Sequence, residues 1–115
     1  MDISFEAREN ILTISLGGNL LGEQDSAPLI ELVERKIKTG EARYAVFDLE
    51  KLDFVNSTGL AALLTCMTKF RNAGGDVCLV HVGETLAKLL SITKLDKVIP
   101  SCDDVETAVE RFQTA

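Results

Sequence analysis

The sequence predicts an α/β fold: a mixed, mostly parallel sheet, opened by an antiparallel hairpin, with about four helices packed on it. Three observations predict it. Ile3, Phe5 and Ala7, and then Leu12, Ile14 and Leu16, alternate with polar neighbours, as strands with one solvated face do. Residues 44–47 and 77–80 are instead unbroken apolar runs, the pattern of strands covered on both faces. Between and after these runs the apolar residues shift to helical spacing, and strands alternating with helices imply parallel pairing.

Arg8-Glu9-Asn10 joins the first two strands as a turn, and Gly17-Gly18-Asn19 closes the hairpin. The first helix turns Leu29, Ile30, Val33 and Ile37 inward and Glu31, Glu34, Arg35 and Lys38 outward. Asp25 or Ser26 caps it, Pro28 suits its first turn and Gly40 ends it. After the strand at 44–47 and Leu52-Asp53-Phe54-Val55-Asn56, a second helix begins near Ser57. Its Leu60, Leu63, Leu64, Met67 and Phe70 make a core stripe, and Gly74-Gly75 stops it. The strand at 77–80 is followed by a short helix over 85–91 and a brief strand at Val98-Ile99 before Pro100. A last helix over 103–112 presents Val105, Ala108, Val109 and Phe112 on one side. No repeat or linker interrupts the chain, so residues 1–115 read as a single domain.

Composition narrows the function classes. With 46% hydrophobic and 26% charged residues, a core needs no staple of disulfide or metal. Eighteen acidic side chains against twelve basic ones give a net charge of -6, which excludes the clustered basic face of a nucleic-acid binder. No run approaches the ~18 apolar residues of a membrane span, and the N-terminal residues do not have the pattern of a secretory signal. Cys66, Cys78 and Cys102 are widely spaced, with no Cys-x-x-Cys pair, and read as buried free thiols of a cytoplasmic protein.

Catalytic chemistry finds little support. The single histidine, His81, ends a strand with no second ligand or orienting acid near it in sequence. No phosphate-binding glycine loop is present. Asp48, Glu50 and Asp53 lie near a strand exit and could form the acid site of a small enzyme, but the simpler reading is solvation of that exit. The expectation is a protein that binds other proteins, with no catalytic residue, metal or cofactor of its own.

Asp53-Phe54-Val55-Asn56-Ser57-Thr58-Gly59-Leu60 is the segment with most to say, since it sets two hydroxyls at a strand-to-helix join. Asn56 or Ser57 can cap the helix, or the hydroxyls can be a modification site, because a helix N-terminus accommodates phosphate. Gly59 lowers helix propensity by about 1 kcal/mol relative to Ala. It reads as leaving the backbone accessible to another protein.

Residues 54–60 resemble the signature of the STAS domain family, in particular the bacterial anti-sigma factor antagonists, whose motif runs apolar-x-Asp-Ser-Ser/Thr-Gly-Leu. The resemblance extends to the hairpin ending in Gly18, Ser26-Ala27-Pro28-Leu29, the strand at 44–49, Gly74-Gly75, and residues 89–95. It implies partner switching. The unphosphorylated antagonist binds an anti-sigma factor with serine kinase activity, is phosphorylated at the position of Ser57 and released, and is restored by a serine phosphatase. ATP and Mg²⁺ in that scheme belong to the kinase. Contacts to the partner are expected from Asn56, Thr58, Ala61, Thr65, Glu23, Gln24 and Gly83. Asn56 stands where the family usually has Asp, and the loop after Gly18 offers Glu23 or Asp25 in place of the family's own Asp. The alternative is a STAS subunit of a lipid-transport or stress-sensing assembly that binds constitutively, with Ser57 only a cap.

Overall fold

A computed structural model describes residues 1–114. The elements run β1 (Asp2–Arg8), β2 (Ile11–Leu20), α1 (Glu23–Lys38), β3 (Tyr44–Val55), α2 (Ser57–Asn72), β4 (Asp76–Val80), α3 (Glu84–Ile92), β5 (Ser101–Cys102) and α4 (Val105–Gln113). This is the order expected from the sequence. The five strands lie side by side in chain order, with β1 antiparallel to β2 and every later pair parallel.

That strand order decides where the helices go. Parallel connections are right-handed, so crossovers that always step the same way carry their helices over the same face. Thus α1, α2 and α3 share one face with Leu12, Ile14, Leu16, Ala45, Phe47, Val77 and Leu79 in the main core. No strand follows α4 among the described residues, so the handedness rule leaves it free, and it covers the opposite face. There Ile11, Val46, Cys78 and Val80 meet Ala108 and Phe112 in a second, smaller core. Phe112 stacks on Tyr44 with ring centroids 4.7 Å apart. Alternation within β3 and β4 feeds both cores, which is why these strands read as unbroken apolar runs. None of the described helices is long and apolar enough to cross a membrane.

Several boundaries differ from expectation, and at the strand ends the reason is a long-range pairing. Gly17-Gly18-Asn19 does not close the hairpin but continues β2, whose register against β3 shifts at two irregularities between Ser15 and Asn19. That pairing keeps β3 extended through Val55, well beyond the apolar run. The last strand lies after Pro100, not before it: the Pro100 carbonyl accepts from the Leu79 N–H at 2.9 Å, while Val98 and Ile99 donate to Leu95 in a turn. Gly22 is the N-cap of α1, without a side-chain cap. Asp25 accepts from the Leu21 N–H at 3.0 Å and Ser26 donates to the Gly22 carbonyl at 2.8 Å, so both act from inside the helix. In β1 only Ile3 leans on the core; Phe5 and Ala7 are exposed, with Lys36 Nζ 5.0 Å above the Phe5 ring. Cys66 and Cys78 are buried free thiols as expected, but Cys102 is only half-buried.

Candidate functional site

The site is the start of α2 and the two loops it touches. The parallel β3 delivers the chain to Asn56 in extended conformation, and Asn56 is the N-cap. Its Oδ1 accepts from the Gly59 N–H at 3.0 Å, and its Nδ2 donates to the Leu21 carbonyl at 2.9 Å. One side chain therefore caps α2 and holds the β2–α1 loop against it. An aspartate would supply the first bond but not the second, because it has no donor when ionised. Here the two cap candidates separate. Ser57 is exposed and its hydroxyl makes no hydrogen bond among the described residues.

Gly59 has a different reason from the one expected. It is buried, and a Cβ there would collide with the Leu20 carbonyl and lie 2.8 Å from Val55 Cγ2. Glycine lets α2 pack directly on the end of β2; it is not open to another protein. The predicted stripe of Leu60, Leu63, Met67 and Phe70 is core, with Leu64 half-buried at its margin.

The first turn of α2 holds no acidic residue, whereas α1 begins with Glu23 and Asp25, α3 with Glu84 and α4 with Glu106. The positive end of the α2 dipole is thus not offset by a neighbouring carboxylate of its own first turn.

Asn56, Thr58, Ala61 and Thr65 are all exposed along α2, Thr65 bonding back to the Ala61 carbonyl at 2.9 Å. Glu23 and Gln24 are exposed at the start of α1, joined to this surface by the Asn56–Leu21 bond. Gly83 is the exposed N-cap of α3, across a hollow of about 130 Å³ that Leu52, Asp53, Phe54 and Leu86 also line. Phe54 and Leu21 are what sequence reasoning missed: they are 62% and 41% exposed, flanking Asn56. The signal was available, since Val55 points into the core and strand alternation turns Phe54 outward.

The carboxylates part company. Asp53 faces the Phe54 hollow, while Asp48 and Glu50 meet His81, whose Nδ1 lies 2.8 Å from Asp48 Oδ1 and 3.8 Å from Glu50 Oε2. His81 thus has the orienting acid that the sequence did not reveal. The hydrogen bond to Asp48 is the main reason its pKa is raised above the ordinary 6.5. Donor atoms of these three residues lie within 4.8 Å of one another, the one such grouping among the described residues that could hold a metal ion.

A sheet whose parallel strands follow chain order, three helices on one face, and a capped helix start bearing a loose serine hydroxyl together define a class of small α/β domain. The STAS domain family model matches residues 2–108, and the chain belongs to that family. It is 22% identical to the anti-sigma F factor antagonist of Paenibacillus polymyxa over 98% of this chain and 96% of that one. Among solved structures it is similar to the anti-sigma factor antagonist SpoIIAA in its unphosphorylated form. There the TM-score is 0.80 and the identity 19%, with 99% of this chain and 100% of that one covered. The phosphorylated form of SpoIIAA, from Bacillus, gives a TM-score of 0.77 at 20% identity, with 96% and 98% covered.

Proposed function

We propose that this chain is an anti-sigma factor antagonist that works by partner switching, with Ser57 as the phosphoacceptor. The observation that carries the reading is the division of labour at the start of α2: Asn56 does the capping, so the exposed Ser57 hydroxyl has no structural duty. The named relatives support the role, and SpoIIAA has been solved both with and without phosphate. In this reading the unphosphorylated surface of Asn56, Thr58, Ala61, Thr65, Glu23, Gln24 and Gly83, together with Phe54 and Leu21, binds an anti-sigma factor that is also a serine kinase. A serine phosphatase resets it.

Phosphorylation adds about −1.5 to −2 charge. At a helix N-terminus that charge favours the fold by about 0.3–1 kcal/mol. Inside an interface the same group must be desolvated, and a cost of only about 3–4 kcal/mol weakens binding several hundredfold. The switch is therefore local charge and bulk, with the domain unchanged.

The test is incubation of the chain with its co-encoded serine kinase and ATP, followed by mass measurement. The wild type should gain one phosphate and Ser57→Ala none, with the two melting together because Ser57 is not the cap. Labelling that persists in Ser57→Ala would refute the assignment. Stable binding of the kinase without phosphate transfer would instead support constitutive binding.

A further inference from the structure

Cys78 and Cys102 are 24 residues apart in the chain, yet their sulfurs are 3.1 Å apart in the fold. The register of β4 against β5 pairs Val80 with Cys102, and Cys78, two residues before Val80, projects from the same face. About 1 Å of approach separates this contact from the ~2.05 Å of a disulfide bond. The two thiols differ in setting. Cys78 is sealed in the small core beneath α4, whereas Cys102 is half-buried on the two-residue edge strand. Arg111 of α4 brings Nη1 to 4.0 Å from the Cys102 sulfur, a positive charge beside whatever anionic sulfur forms there.

We propose that Cys102 and Cys78 form a two-cysteine oxidation site for hydroperoxides, Cys102 attacking and Cys78 resolving. The Cys102 thiolate attacks one peroxide oxygen. The O–O bond breaks, hydroxide leaves and takes up the thiol's proton as water, and Cys102 becomes a sulfenic acid. The Cys78 sulfur then attacks the Cys102 sulfur. The S–O bond breaks, and the departing hydroxide leaves as water with the Cys78 proton. Two thiols lose two electrons in all, and one hydroperoxide is reduced to water and, for an organic peroxide, an alcohol. A dithiol reductant reverses the process by exchange. Burial, and then the bond with Cys102, push the Cys78 thiol up to about 12, which suits a sulfur that waits and not one that attacks peroxide. Cys66 serves as an internal control, since it lies buried in the other core with its thiol also pushed up to about 12.

The test exposes the folded chain to hydrogen peroxide, quenches it, unfolds it and alkylates it with N-ethylmaleimide before mass measurement. Untreated chain should take three adducts, one per cysteine. Treated chain should take one, at Cys66, with a loss of about 2 Da in the disulfide-linked pair. A digest should yield a linked peptide pair carrying Cys78 and Cys102, and dithiothreitol should restore three adducts. Cys78→Ser should stop at a sulfenic acid that dimedone captures on Cys102, and Cys102→Ser should keep both remaining thiols. The proposal is overturned if treated wild type still takes three adducts at a dose that oxidises free N-acetylcysteine. Linkage of Cys102 between two chains, or to Cys66, overturns it as well. The linked peptide is read from the wild type, so the outcome does not depend on either variant folding.

Discussion

The two faces of the sheet are built to different thicknesses. On one, three helices bury Phe70, Leu63, Phe47 and Leu29 completely, and α2, the helix that carries Ser57, is fixed along its whole length. On the other, nine-residue α4 alone covers the sheet, and Phe112 at 8% exposure is its principal anchor. The contrast bears on where the proposed phosphorylation and the proposed oxidation would each act. The proposed phosphorylation site stands on the thickly packed face, so a charge added there is expected to alter binding and leave the fold alone. The cysteine pair stands on the thin face, next to an edge, where a half-buried sulfur is within reach of solvent.

Phe70→Ala should break the thick face and cost about 4–5 kcal/mol in denaturant unfolding, while Phe112→Ala on the thin face should cost nearer 3. Equal losses would erase the distinction between the two faces. Gly59→Ala should cost about 1–3 kcal/mol, because the new methyl meets the Leu20 carbonyl, a backbone atom that cannot turn aside. A neutral result would mean that α2 does not sit down on β2 as closely as described. Asn56→Ala should cost about 1 kcal/mol as a lost cap, against almost nothing for Ser57→Ala, measured as paired melting curves. The reverse order would return the capping role to Ser57.

The smallest effect is a titration. His81 is the only histidine, so its ring protons report a single midpoint by NMR. That midpoint should lie above 6.5 and fall toward 6.5 in Asp48→Asn, because the Asp48 hydrogen bond is the leading cause of the shift. The folded value is raised, so the ion pair contributes fully below pH 6.5, and its contribution is lost as pH climbs through the folded midpoint. A midpoint unmoved by the substitution would rule out the 2.8 Å contact in solution.

What the sequence disclosed was local. Helical spacing in Leu29, Val33 and Ile37, and in Leu60, Leu63, Met67 and Phe70, placed the two long helices correctly, and unbroken apolar runs marked the two central strands. The errors came where distant residues decide. Gly17 to Asn19 looks like a turn until the far end of β3 pairs with it. Val98-Ile99 looks like a strand until Pro100 and β4 fix the pairing three residues later. His81 and Asp48 are 33 residues apart, and no spacing rule joins them. Of the site, Ser57 and its cap were legible as alternatives, and only the geometry of Asn56 divided them. Phe54 was legible too, since alternation from Val55 turns it to solvent.

Strands that follow chain order also set a timetable. As the chain leaves the ribosome, each new strand finds the strand it pairs with already made. The covering of the second face does not keep pace. Ile11, Val46, Cys78 and Val80 wait for residues 105–113, which at roughly 5–20 residues per second are complete only about two to seven seconds after Val80. In the later part of that interval, once α3 and Ile99 are in place, a nascent chain has one covered side and one greasy one, and it is then, before α4 closes, that the growing protein would most need a chaperone.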